Sequence, residues 1–309
     1  AFSSADSINE NYARELLELH TVGVNGGYTE ADVVNTAKLL TGWTIDPDTG
    51  RFDFIQSRHD SSANPIMGWT RPTSGSDFGH GVDFLHYLAT HPSTAEFLAT
   101  KLVRRFVSDD PDPNLVSELA STYLANDTAI APVLTQLFTH PSFLASGDAK
   151  LRRPFEQLIA MGRAVGAELA PTTAQAQIGQ LAQVAVALGQ PPFRWPAPNG
   201  YPDVAAAWLN TGGLLSRWNA AGDVTANTFA ALQYDESAVR AGLAGRTATE
   251  IVDTIADRVL HQPLTHDGRT IILNQLGWNP SDTKDGIAIF FAQRAVITLL
   301  LVTLDNQYT

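Results

Sequence analysis

The stretch NENYARELLELHTVGVNGGYTEADVVNTAKLLTGW, which runs from Asn9 to Trp43, decides the fold of this chain. Its apolar residues recur at helical spacing on both sides of a glycine-rich turn: Ile8, Tyr12, Leu16 and Leu19, then Val33, Ala37 and Leu40. Glycines end the first helix soon after His20, and Thr29 with Asp32 forms a variant of the capping box that begins the second helix. We therefore predict a helix-loop-helix unit.

Helical periodicity also dominates the rest of the chain, so we predict a mainly α fold, a multi-helix orthogonal bundle with one small β-hairpin. The hairpin is expected near residues 43–56, where alternating residues flank a Pro-Asp-Thr-Gly turn. The Ser-, Gly- and Pro-rich segment from Ser61 to Gly81 is expected to be a surface loop. The apolar run from Ile287 to Leu304 predicts a buried closing helix.

A short repeat marks two helix starts, because Thr90-His-Pro-Ser recurs as Thr139-His-Pro-Ser. Proline is well suited to the first position of a helix, where its missing N–H costs nothing. His91 and His140 are therefore predicted to cap helices.

The composition changes after Gly166, where the chain becomes rich in Ala and Gln. We predict two domains on this basis. Residues 1–166 form a helical domain with the hairpin and the repeat, and residues 167–309 form a C-terminal helical subdomain packed on the first.

Composition excludes several classes of protein. The net charge is −12 and there is no basic run, so a nucleic acid would be repelled rather than bound. The longest apolar run, from Ala295 to Leu304, is about half of the roughly 20 residues of a membrane-spanning helix. The chain has no cysteine, which rules out disulfides, thiolate metal sites and a cysteine nucleophile.

Further motifs follow the opening stretch in order: His59-Asp60, Arg152-Arg-Pro-Phe-Glu156 and Trp195-Pro-Ala-Pro-Asn-Gly-Tyr201. With Asn9 to Trp43, they resemble the bacterial family 1800 of domains of unknown function over essentially the whole chain. The resemblance implies a bacterial protein that is often exported, to the periplasm or the medium, and is frequently encoded near a sulfatase-like partner protein. It also implies a preceding N-terminal segment as a partner, with this chain matching the C-terminal two-thirds of the family's length.

A polar stripe follows the first helix, because Asn11, Arg14, Glu15 and Glu18 share one face. In one interpretation Glu15 and Glu18 are a catalytic carboxylate pair, assisted by His59 and Asp60, while Asn11 and Arg14 bind substrate. In the other interpretation the stripe is a polar face with internal ion pairs. Spacing alone leaves both interpretations open.

Donors for a divalent metal such as zinc are present in His20, His59 and Asp60, which a helix end beside a hairpin exit would bring together. Their spacing is not diagnostic. A histidine at the C-terminal end of a helix is equally well explained by its favourable interaction with the helix dipole.

The proline-rich loop carries Trp195 and Tyr201 as stacking platforms for sugar rings, and Asn199 as a hydrogen-bonding group for hydroxyls. The same residues would also serve to anchor the loop to a core.

Two functional hypotheses follow. The first is an exported bacterial hydrolase that acts on a polymeric, carbohydrate substrate by carboxylate acid–base catalysis. The second is a non-catalytic helical binding or assembly module that works with an exported sulfatase-like partner.

Overall fold

The computed structural model describes residues 3–62, 65–169, 175–303 and 307–308. Over these residues the protein is mainly α, which confirms the predicted fold class, with two small antiparallel sheets of two strands each. The chain divides into two compact units, Ala1–Ala145 and Ser146–Thr309.

The first unit contains seven α-helices and one hairpin within its described residues. They are α1 (Glu10–Glu15), continued by a π-helical turn (Leu16–His20), α2 (Glu30–Leu39), β1 (Trp43–Ile45), β2 (Phe52–Phe54), α3 (Asp77–Ala89), α4 (Pro92–Phe106), α5 (Pro113–Ala125), α6 (Ile130–Thr139) and α7 (Pro141–Leu144). Strands β1 and β2 pair with Trp43 opposite Phe54 and Ile45 opposite Phe52, which confirms the predicted hairpin.

The capping box at the start of α2 is present as predicted. Thr29 Oγ1 accepts a hydrogen bond from Asp32 N (3.2 Å), and Asp32 Oδ2 accepts one from Thr29 N (2.7 Å). Asp32 Oδ1 also accepts from Met67 N (2.7 Å). Burial acts to raise the pKa of Asp32, but the hydrogen bonds from Thr29 and Met67 prevail and hold this pKa below its ordinary value. Asp32 therefore joins the start of α2 to the chain that follows the hairpin.

The apolar face of the first helix is centred one residue later than the spacing predicts. Ala13 and Leu17 are fully buried, whereas Tyr12 is 48% exposed. The π-helical turn from Leu16 to His20 then changes the register of the side chains that follow it.

Both histidines of the short repeat cap helices, as predicted. His91 Nδ1 accepts from Ser93 N (3.2 Å) at the start of α4, and His140 Nδ1 accepts from Ser142 N (3.1 Å) at the start of α7. The two helices differ in length, because α4 continues to Phe106 while α7 ends at Leu144. The repeat is therefore a repeated helix start rather than a repeated unit of structure.

The loop predicted from Ser61 to Gly81 is shorter than expected. Ser76 Oγ accepts from Gly79 N (3.1 Å) and begins α3, so the end of the predicted loop is helical. Ile66 and Trp69 form an isolated antiparallel bridge and are both buried, which fixes the middle of the segment to the core.

The second unit contains seven further α-helices and one sheet within its described residues. They are α8 (Pro154–Ala164), β3 (Glu168–Leu169), α9 (Gln175–Ala187), α10 (Thr211–Thr225), β4 (Leu232–Gln233), α11 (Glu236–Arg240), α12 (Ala248–Leu260), α13 (His266–Leu276) and α14 (Gly286–Val302). The sheet of β3 and β4 was not predicted. Helix α14 confirms the closing helix and buries Val296, Ile297 and Leu300 completely, while Leu304 lies outside the described residues.

The two compact units divide the chain earlier than the composition suggests. Helix α8 packs against α10 and α12 and so belongs to the second unit, which begins at Ser146. The change in composition after Gly166 reflects the Ala- and Gln-rich sequence of α9, a single element of that unit.

The beginning and the end of the second unit are hydrogen-bonded to each other. Leu151 and Tyr308 form an antiparallel bridge, and Arg152 N donates to Gln307 O (2.8 Å). Gln307 is buried, and its side-chain amide donates to Val302 O (2.8 Å). Gln307 and Tyr308 are therefore part of the packed structure.

None of the helices that the structure describes has the length and apolar character needed to cross a membrane.

Candidate functional site

The polar stripe of the first helix is held in place by α2. Arg14 makes a bidentate ion pair with Glu30, in which Nη1 donates to Oε1 (2.9 Å) and Nη2 donates to Oε2 (2.6 Å). Hydrogen bonding to Arg14 lowers the pKa of the Glu30 carboxyl group and raises the pKa of Arg14. The Arg14 guanidinium also lies 3.9 Å from Glu18. Arg14 therefore joins the first helix to the start of the second.

The two candidate catalytic carboxylates have different partners. Tyr28 in the glycine-rich turn donates a hydrogen bond to Glu18 Oε1 (2.5 Å), and Asn11 Nδ2 donates one to Glu15 Oε1 (2.7 Å). Burial, followed by the hydrogen bond to Glu18, raises the pKa of Tyr28 to about 12. Glu18 is thus engaged in fixing the turn between the helices, whereas Glu15 stays on the helix surface.

His59 and Asp60 follow the hairpin, where His59 is buried and Asp60 is partly exposed. His59 Nδ1 donates to Thr41 O (3.0 Å), and Nε2 lies 3.7 Å from Asp77 Oδ1, a distance too long for a hydrogen bond. Asp60 Oδ1 accepts from Ser62 N (2.8 Å), and the hydrogen bonds from Ser62 lower the pKa of Asp60. Because His59 is buried, it is not placed to act directly on a substrate in solvent.

The structure does not assemble the metal site predicted from His20, His59 and Asp60. The residues it describes contain no group of three or more His, Asp or Glu side chains arranged to hold a metal ion. His20 is exposed at the end of the π-helical turn, while His59 is buried and Asp60 binds a backbone N–H.

A polar cluster next to His59 was missed at the sequence level. Arg71 forms an ion pair with Asp77, and its Nε donates to His80 Nδ1 (2.9 Å). His80 Nε2 in turn donates to Ser74 O (3.1 Å). The pKa of Asp77 is lowered, chiefly by the hydrogen bond from Gln56, with smaller contributions from the nearby His59, Arg71 and His80. The signal in the sequence is the pair Asp77 and His80, which lies in the first turn of a helix where composition predicts a loop.

A groove of about 450 Å³ lies between the first helix and the hairpin. It is lined by Ser3, Asn9, Tyr12, Leu40, Trp43, Thr44, Ile45 and Phe52. Tyr12 and Phe52 are each about half exposed, at 48% and 53%, and the rings of Trp43 and Phe52 meet edge to face with centroids 5.2 Å apart. Ser3 and Asn9 also line the groove; Ser3 Oγ accepts from Asn9 N (3.2 Å), and Asn9 Oδ1 accepts from Tyr12 N (3.0 Å) at the start of α1. The groove thus combines aromatic rings with short polar side chains.

The proline-rich loop of the second unit is anchored by its own aromatic residues. Trp195 Nε1 donates to Asn199 Oδ1 (2.8 Å), and Tyr201 OH donates to Pro191 O (2.8 Å). The ring of Tyr201 lies between Trp195 and Trp208, with centroid distances of 4.9 and 5.9 Å. The indole N–H of Trp195, the amide oxygen of Asn199 and the hydroxyl group of Tyr201 therefore have partners within the loop.

The residues predicted to bind substrate belong to different compact units. Asn11 and Arg14 are in the first unit, and Trp195, Asn199 and Tyr201 are in the second. In the first unit, Glu15, Glu18, His20 and His59 are not among the residues that line the groove.

Comparisons with known proteins identify the family alone. Searches of curated proteins and of solved structures each gave no match. A family model described as "Protein of unknown function (DUF1800)" matches residues 1–305, nearly the whole chain. The chain therefore belongs to the DUF1800 family.

Proposed function

We propose that this protein is a non-catalytic, mainly helical binding module that holds a polymeric carbohydrate in the groove between the first helix and the hairpin. The observation that carries the proposal is the convergence of Tyr12, Trp43 and Phe52 on one groove. The C–H faces of sugar rings pack against aromatic rings, while sugar hydroxyls bond to nearby polar side chains, here Ser3, Asn9 and Thr44.

The acidic residues of the opening stretch support binding rather than catalysis. Glycoside hydrolysis uses two carboxyl groups on either side of the scissile bond. The described residues that line the groove include no carboxylate. Glu18 and Glu30 instead bond to Tyr28 and Arg14, which is the arrangement expected of residues that hold two helices together.

A hydrolase is the second candidate function, with Glu15 as the general acid or base. It is favoured by one observation. Glu15 is partly exposed on the helix that also supplies Tyr12 to the groove, and its one described hydrogen-bond partner is the neighbouring Asn11.

We also propose that the protein works outside the cytoplasm, in the periplasm or secreted, next to a sulfatase-like protein. This part of the proposal is supported by membership of the family, through what the resemblance implies. It is tested by fractionating the native bacterium and identifying the proteins that copurify with this protein. Recovery in the cytoplasm without such a partner would contradict it.

The carbohydrate proposal is tested by titrating the chain with a panel of soluble polysaccharides and following binding by calorimetry. We expect Phe52→Ala and Tyr12→Ala each to lower the affinity about two- to tenfold, the range for one aromatic contact. Phe291→Ala is the matched control, because Phe291 is 76% exposed in the second unit and should leave affinity unchanged.

The same samples separate binding from hydrolysis. A binding module releases no new reducing ends from any polysaccharide of the panel. Release that is lost in a Glu15→Gln variant would instead establish the hydrolase. Unchanged affinity in both aromatic variants would show that the groove is not the site.

A further inference from the structure

A separate apolar cavity of about 650 Å³ lies beside α8 in the second unit. Apart from Arg163 and Glu168, the residues that line it are apolar or glycine, and they include Leu158, Ile178, Leu181 and Leu232. Its volume lies within the range of small-molecule sites, roughly 300–1,000 Å³. An apolar lining of this kind favours an aliphatic or aromatic group over a sugar, whose hydroxyls would lose their hydrogen bonds to water.

One ridge of α8 separates this cavity from a second one of about 710 Å³. Phe155, Ile159 and Arg163 line both cavities, and their spacing of four residues places them along one ridge of the helix. The second cavity is also lined by Arg152 and His261. Arg163 therefore stands where an apolar cavity meets a surface lined by Arg152 and His261.

The charges along this ridge favour an anion. Glu156 also lines the second cavity, but its carboxylate accepts hydrogen bonds from the backbone N and the guanidinium of Arg153, at 2.6 to 3.1 Å. Arg163 is exposed, and its guanidinium makes no hydrogen bond or ion pair with the residues that the structure describes. The net charge of the chain is −12, so most of its surface repels an anion. An exposed arginine at the edge of an apolar cavity is therefore a site where an anionic group is attracted.

We propose that the cavity beside α8 binds a single-chain amphiphile with an anionic head group. The aliphatic chain lies among the apolar residues of the cavity. The carboxylate or phosphate head accepts hydrogen bonds from the Arg163 guanidinium at the ridge, on the side of Arg152 and His261. This site is independent of the groove in the first unit.

Glu168 is the opposing charge, since it lines the same apolar cavity. Its side chain is exposed, so it is free to turn toward solvent when an anion binds. Removing its charge in Glu168→Gln should leave anion binding unchanged or make it tighter. Weaker binding of the anion in this variant would overturn the assignment of the head group.

The proposal is tested by calorimetric titration of the whole chain with twelve-carbon probes, below the concentration at which they aggregate. Dodecanoate and dodecyl phosphate distinguish a free fatty acid from a phosphate amphiphile, and tight binding of either supports the site. Dodecanol and dodecyltrimethylammonium test the head group, and both should bind more weakly. Between decanoate and dodecanoate the affinity should rise about 15-fold, because each buried CH₂ contributes about fourfold.

Variants locate the ligand. Ala182→Phe places a ring in the apolar cavity and should abolish binding, whereas Ala187→Phe adds the same ring to an exposed position of α9 that does not line the cavity and should have no effect. Arg163→Ala should lower the affinity for dodecanoate about tenfold, because a hydrogen bond to a charged group is lost. The affinity for dodecanol should stay unchanged.

Three results would overturn the proposal. The first is equal affinity of the wild type for dodecanoate and dodecyltrimethylammonium. The second is equal affinity of Ala182→Phe and Ala187→Phe for dodecanoate. The third is the absence of binding below the aggregation concentration in a wild-type chain whose thermal unfolding shows that it is folded.

Discussion

At the scale of single residues, the opening stretch is held together by side chains that come from beyond its first helix. Tyr28 bonds to Glu18 from the glycine-rich turn, and Glu30 bonds to Arg14 from the second helix. Helical spacing identified the acidic residues, but it describes neighbours on one helix and gives no information about partners after a turn. The choice between a catalytic pair and a structural network therefore needed the structure.

Alkaline pH should weaken the contact between Tyr28 and Glu18. The pKa of Tyr28 is raised to about 12, so its contribution to stability is complete below the unfolded value, about pH 10, and is lost as the pH rises through about 12. We expect Tyr28→Phe to lower the free energy of unfolding by about 1 kcal/mol at pH 8 and to lose less stability than the wild type above pH 10.

Urea denaturation at pH 8, 10 and 11 measures this difference. Tyr12→Phe is the control, because Tyr12 is half exposed and lies outside the network. Tyr234 in the second unit also has a pKa raised to about 12, chiefly by burial. Tyr234→Phe should therefore also reduce the loss of unfolding free energy above pH 10, independently of Tyr28. If the unfolding free energies of the wild type and Tyr28→Phe fall by the same amount between pH 8 and pH 11, the assigned role of Tyr28 is contradicted.

At the scale of elements, the hairpin is positioned by the close approach of one ring to a helix. A Cβ atom built on Gly81 in α3 would lie 2.6 Å from Cζ2 of Trp43, so only glycine permits this packing without a shift. Trp43 in turn forms part of the groove wall. Gly81 in α3 thus allows Trp43 of the hairpin to take its place in the groove wall.

We expect Gly81→Ala to destabilise the first unit by about 1–3 kcal/mol, because the added methyl group overpacks against Trp43. The same change should weaken polysaccharide binding by displacing the ring. Gly222→Ala is the control, since Gly222 lies within α10 and an added Cβ would meet no atom within 4 Å, so we expect it to stabilise by about 0.5–1 kcal/mol. Thermal unfolding and calorimetry measure both effects, and equal stability of Gly81→Ala and the wild type would exclude the packing argument.

The elements themselves were largely predictable, and the groove was not. Capping residues such as Thr29, His91 and His140 act within a few residues, so local spacing identifies them. The groove depends on Tyr12 facing outward, whereas the apolar spacing places Tyr12 on the buried face with Leu16 and Leu19, so the spacing could not reveal it.

At the scale of the whole molecule, the chain is built from two units with separate cores. The first has two apolar clusters, one around Leu17 and Phe84 and the other around Leu119 and Leu137, and the second has one large cluster around Ile251 and Ile297. Composition could not locate their division, because Ala- and Gln-rich sequence marks an element and not the set of residues that share a core.

Truncation after Thr303 should destabilise the second unit. It removes Gln307 and Tyr308, which pair with Leu151 and Arg152 at the beginning of that unit. We expect a loss of about 2 kcal/mol from the lost hydrogen bonds and the newly exposed partners. Hydrogen exchange resolved by residue should show faster exchange around Arg152 in the truncated chain and unchanged exchange in α2. Equal exchange rates around Arg152 in the truncated chain and the wild type would contradict this expectation.

The π-helical turn from Leu16 to His20 has a consequence for comparing members of the family. A π-helical turn is equivalent to a single-residue insertion in an α-helix. A relative without that residue would align with a one-position gap in this turn, and its counterpart of Glu18 would be rotated by about 100° around the helix axis, away from Tyr28. The length of this turn therefore distinguishes two groups of family members. Those with the extra residue can form the Tyr28–Glu18 hydrogen bond, and those without it must join the two helices by other contacts.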